Sequence, residues 1–136
     1  MVRITTAADF FSRVGAGDLF RGAPDQALRQ HSASAVLAAL TQLGKPYAQD
    51  FRPPPSEFYC SSLVEWAYER ASGAAHVLVP QVAFALIFEP QDYWRAYYKA
   101  MNQTLPHANG SNPTLLLQST RLDVSRVPAD SPPSLR

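Results

Sequence analysis

The stretch Pro53-Pro54-Pro55-Ser56-Glu57-Phe58-Tyr59-Cys60-Ser61-Ser62-Leu63-Val64-Glu65-Trp66-Ala67-Tyr68-Glu69-Arg70-Ala71 decides how this chain reads. Leu63, Val64, Ala67, Tyr68 and Ala71 recur at helical spacing and form one apolar stripe. Proline lacks the amide donor and restricts the residue before it, so the triple-proline approach cannot be helical. The helix therefore starts close to Cys60, the only cysteine in the chain, and the thiol falls in its first turn. Unpaired N–H groups and the positive end of the helix dipole gather there and favour a thiolate over a thiol. The competing reading is a small buried hydrophobe, the commoner fate of a lone cysteine. The surrounding sequence has to decide between them.

On the N-terminal side, Val2-Arg3-Ile4 reads as a short strand. Thr5 or Thr6 can cap a helix from Ala7 to Val14, with Gly15 and Gly17 ending it. Residues Asp18 to Gly22 read as extended. Pro24 suits a first helical position, and one long helix is expected from Asp25 to Leu43, burying Val36, Leu37, Leu40 and Leu43. Gly44 stops it and Pro46 forbids its return. Residues 48 to 57 form a loop stiffened by the prolines, and Gly73 closes the Cys60 helix. Beyond it, Val77 to Val79 and Val82 to Phe88 are apolar runs too short to assign by periodicity. Pro90 to Met101 reads as a helix with Tyr93, Trp94, Tyr97, Tyr98 and Met101 on one side, a stripe that packs a core or walls a substrate site. Asn109 to Pro113 is a turn cluster. Thr114 to Gln118 and Arg121 to Val127 read as closing strands, and the proline- and serine-rich residues 128–136 as a disordered tail.

At 136 residues and 46% hydrophobic, the chain can bury one core, so residues 1–127 are expected to form a single domain. A formal net charge of +1 without a basic run gives no electrostatic footprint for nucleic acid. No apolar stretch reaches transmembrane length, and Met1 to Thr6 lack the apolar core of a signal peptide. With one cysteine no internal disulfide can form, which leaves the compartment undecided. No cofactor and no metal site is expected.

Upstream of the quoted stretch stands Leu43-Gly44-Lys45-Pro46-Tyr47. Together with Phe58-Tyr59-Cys60-Ser61-Ser62-Leu63-Val64 it resembles the signature of NlpC-type, papain-like cysteine hydrolases, in which an LG-x-PY segment precedes a CS-x-LV helix. The Phe-Tyr pair before the cysteine looks more like the circularly permuted, YiiX/YebB-like branch. Asp92-Tyr93-Trp94 through Tyr98, the Leu105-Pro106 loop, Gly110-Ser111-Asn112-Pro113 and Leu122-Asp123-Val124 are similar to the C-terminal half of that branch. The resemblance implies an α+β, papain-like half-fold, with the nucleophile-bearing helix packed on a small antiparallel sheet and the 25–43 helix nearby.

It also implies a thiol hydrolase that cleaves an amide or ester bond through a Cys60 thioester, on a cell-wall peptide or an acyl-amide substrate. Such an enzyme needs a base for the thiol proton, a group that orients the base, and donors for the oxyanion. The backbone N–H of Cys60 is one donor, and Tyr47 matches the position of a family tyrosine near the nucleophile and is the candidate second donor. Ser62 stands where many permuted relatives carry a glutamate, while Ser61 and Ser62 are expected to serve the first helical turn. Glu65 and Glu69 are read as solvated.

Three histidines are available as base. His31 falls on the solvent side of the 25–43 helix and His76 in the loop after Gly73. His107 lies in a Pro-His-Ala-Asn-Gly turn, downstream where the unpermuted order would place a base, and is the candidate. Permuted relatives carry the histidine on a strand before the cysteine helix, in a context absent here. The chain is therefore expected to be N-terminally truncated, with an unpaired sheet edge through which it could associate. The alternative is a catalytically silent domain that acts by binding.

Overall fold

The computed structural model describes residues 1–13, 19–79, 86 and 88–127. Tyr59 is extended (φ −105°, ψ 170°), and the next residue opens the helix α4, Cys60–Ser72 in the numbering used throughout. Gly73, at φ 74°, ends it in the left-handed region that only glycine enters freely. The preceding elements are α1 (Ala7–Phe11), β1 (Leu19–Pro24), α2 (Gln26–Arg29) and α3 (Ser32–Leu40). Following α4 come α5 (Gln91–Ala100), α6 (Pro113–Leu117) and β2 (Leu122–Val127). β1 and β2 pair antiparallel, from Leu19 opposite Val127 to Pro24 opposite Leu122. The fold is α+β, helices with a two-stranded antiparallel sheet. The broad neighbour of α4 is α3.

Where one helix was expected over 25–43, the chain makes two. Asp25 caps α2 by accepting from the Leu28 amide (2.8 Å) and is held to the start of β2 by Arg121 (2.9 Å). α3 is held instead to α4, through Ser32 and the Tyr68 hydroxyl (3.1 Å). Between those two anchors the His31 N–H turns back onto the Leu28 carbonyl (2.9 Å), and the helix axis breaks. Pro24 closes β1 and does not open a helix.

The expected buried stripe is also corrected. Val36 and Leu37 are 60% and 65% exposed, and Leu40 and Leu43 are exposed as well. The residues that disappear between α3 and α4 are small ones, Ala35 and Ala67. Small side chains let two helix backbones approach closely, so the seam follows the alanines and turns the larger side chains outward.

Three shorter segments differ from expectation. Thr114–Gln118 is not a strand but lies largely in α6, because Asn112 caps the Leu115 amide (2.8 Å) and Pro113 fits the first turn. Val2 is not in a strand; its backbone donates to Lys45 (2.8 Å) and accepts from Gly44 (3.0 Å). α1 begins as expected, with Thr6 accepting from the Asp9 amide at 3.1 Å. The glycines expected to end it, most of the Val82–Phe88 run and the 128–136 tail lie outside the described residues.

Candidate active site

Pro46, Tyr47 and Ala48 run parallel to Phe58, which accepts from the Ala48 amide (3.0 Å) and donates to the Pro46 carbonyl (3.2 Å). This short bridge brings the two halves of the sequence motif together. Tyr47 sits opposite Phe58, two residues before the first residue of α4. Phe58 itself is buried, packs edge-on to Trp66 (5.3 Å between ring centres), and lies under the Lys45 ammonium at 5.6 Å. The Cys60 helix thus starts from a fixed point in the core.

Cys60 is the first residue of α4, and its side chain is exposed. Two phenols flank it. Burial first, then the neighbouring Cys60, pushes the Tyr47 hydroxyl above its ordinary value. Burial likewise raises Tyr59, against an opposing hydrogen bond with Ser111. Both phenols therefore stay protonated at neutral pH and remain donors.

The first turn of α4 is pinned from two sides. Ser62 accepts from the Tyr59 amide (3.0 Å) and donates to its carbonyl (2.9 Å), so it serves the helix start as expected. Ser61 instead donates to the Ser111 carbonyl (2.9 Å), fastening the nucleophile turn to a loop fifty positions on. Gly110 is required in that loop, because a side chain there would collide with the buried Tyr59 hydroxyl.

Beside the site lies the expected aromatic stripe, which does two jobs. Tyr98 is buried and donates to the Gln49 carbonyl (2.7 Å). Tyr93 and Tyr97 are exposed and stack on each other, 6.3 Å between ring centres. Tyr97 also contributes to the raised pKa of Tyr47.

All three histidines are described, and none hydrogen-bonds Cys60. His31 stands at the start of α3. His107 is exposed in a separate pocket with Gln91, Arg95 and Lys99 of α5. His76, at φ 51°, donates its backbone N–H to Glu69 (2.7 Å). Sequence reasoning missed Glu65. It is buried, not solvated, and accepts from the Leu78 and Val79 amides at 3.3 and 3.4 Å. Burial pushes its carboxyl above the ordinary range. A glutamate in an i, i+4 pair carries no local sign of this, since the loop that covers it comes later in the chain.

Residues 1–124 match the family of permuted papain-like amidase enzymes, YaeF/YiiX, C92. The chain belongs to that family, whose members are papain-like cysteine amide hydrolases in general. No curated protein and no solved structure matches it.

Proposed function

We propose that the chain works as a thiol hydrolase with Cys60 as nucleophile. The thiolate attacks the carbonyl of an amide or ester, the leaving group departs, and water hydrolyses the resulting thioester. The observation that carries this is an exposed cysteine at the first position of a helix whose start is fixed by Ser62 and by the Phe58 bridge. The Cys60 N–H and the Tyr47 hydroxyl serve as oxyanion donors. The exposed, stacked rings of Tyr93 and Tyr97 offer an apolar surface that suits an acyl chain, and this favours an acyl-amide substrate over a cell-wall peptide.

A second reading rests on its own observation. With no histidine bonded to Cys60, the chain would hold a substrate without turning it over, acting as a binding domain. A p-nitrophenyl acyl ester separates the two. A stoichiometric burst of nitrophenol that vanishes in Cys60→Ala supports the nucleophile. Steady turnover after the burst supports a complete hydrolase. A burst that stalls, and is restarted by added imidazole in the intact chain but not in Cys60→Ala, identifies the missing base. No burst, with iodoacetamide alkylation no faster than in the denatured chain, sinks the hydrolase reading for this chain.

A further inference from the structure

On the face of α4 turned away from Cys60 lies a cavity of about 390 Å³, floored by Ser62, Glu65 and Glu69 and walled by Trp66, His76 and Asn109. Glu65 uses one carboxylate oxygen to hold the Leu78 and Val79 amides, which is a sufficient structural role for that oxygen. Its other oxygen is buried and has no hydrogen-bond partner among the described residues. The residue is only 8% exposed, so that oxygen has little access to bulk water. Glu69 and His76 close the same corner, with the His76 Nδ1 3.9 Å from a Glu69 oxygen. Among the described residues no lysine or arginine lines the cavity to balance the two carboxylates.

We propose that Glu65, Glu69 and His76 bind a divalent transition-metal cation, with zinc the fitting probe. One oxygen from each glutamate and one ring nitrogen of His76 lie within 4.8 Å of one another. Zinc bonds of about 2.0–2.2 Å with tetrahedral angles set donors roughly 3.4 Å apart. Glu69 and His76 are not buried and can close that difference by rotating. An imidazole with two carboxylates is a donor set that zinc and its neighbours accept. Three protein donors leave a further position open to water or to a ligand entering the cavity. His76 sits in the loop that follows Gly73, so the cation ties that loop to α4.

The test is calorimetric titration of zinc into the chelator-treated full chain carrying Cys60→Ala, which removes the thiol as a competing ligand. The expected result is a single equivalent bound, with a shift of the His76 ring resonances. Both His76→Ala and Glu65→Gln should lower the affinity roughly tenfold or more, at least what loss of an outer-shell partner costs. His107→Ala and His31→Ala should leave it unchanged. Because His76 lies outside the core, its variant reports on zinc even where Glu65→Gln weakens folding. Stoichiometric zinc that survives His76→Ala, or the lack of any stoichiometric binding, overturns the site.

Discussion

At Tyr47, burial and the neighbouring Cys60 both push the hydroxyl above its ordinary value of 10.0. A phenol held that way can donate to an oxygen that gains charge in the transition state. Replacing Tyr47 with phenylalanine is therefore expected to slow acylation in the ester burst by roughly a hundredfold, the cost of one oxyanion donor. The alkylation rate of Cys60 should stay the same, since the thiol and its helix are untouched; an equal loss in both would assign Tyr47 to positioning the cysteine. That the segments of Tyr47 and Cys60 belong together was legible in sequence, because they are two halves of one motif, and the bridge from Tyr47 to Phe58 joins those halves. The base was not, because a histidine announces itself only through the partner it meets in space.

The helix α4 shows what local sequence can specify. Its start follows from the prolines and its stop from Gly73, and both ends fall where the pattern put them. At φ 74° with open space around it, Gly73 should accept alanine without collision but with backbone strain. Gly73→Ala is expected to cost about 1 kcal/mol in urea unfolding, with no change in the burst. A neutral result would mean the C-terminal turn frays without penalty. α3 shows the opposite. Its largest apolar side chains suggested the wrong face, because the contact with α4 is made by Ala35 and Ala67. Hydrophobic spacing finds bulky stripes, and a close helix seam does not need one. α6 was misread for a related reason: a five-residue helix is too short for its period to show, and only its Asn-Pro start marks it.

Across the whole molecule, one aromatic cluster joins distant stretches of chain: Phe51 meets Tyr59 and Phe88, and Phe88 meets Trp94 and Tyr98. Tyr98 in this cluster is pushed from 10.0 up to about 12, chiefly by burial and then by the neighbouring Tyr97 and Tyr47. A phenol that ionises later in the fold than in the unfolded chain stabilises the fold fully below pH 10 and loses that contribution as pH climbs toward 12. Thermal unfolding measured over that window should therefore show a steep alkaline loss, smaller in Tyr98→Phe. Parallel curves for the two proteins would contradict it. That cluster was half legible, since the stripe on α5 was visible but the reach of Tyr98 to Gln49 was not. The bridge between residues 46–48 and Phe58 has a further meaning. It clamps both feet of the intervening loop, while Gln49 to Arg52 are separately held by Tyr98, the aromatic rings and the Asp50–Arg52 ion pair. Pro53 to Ser56 are held more lightly, by the Lys45 ammonium donating to the Pro55 carbonyl (2.6 Å), and lengthening a closed loop adds little entropic cost. That tetrapeptide is a natural splice point, where a descendant or an engineer could graft a new recognition arm onto the nucleophile without retuning the rest.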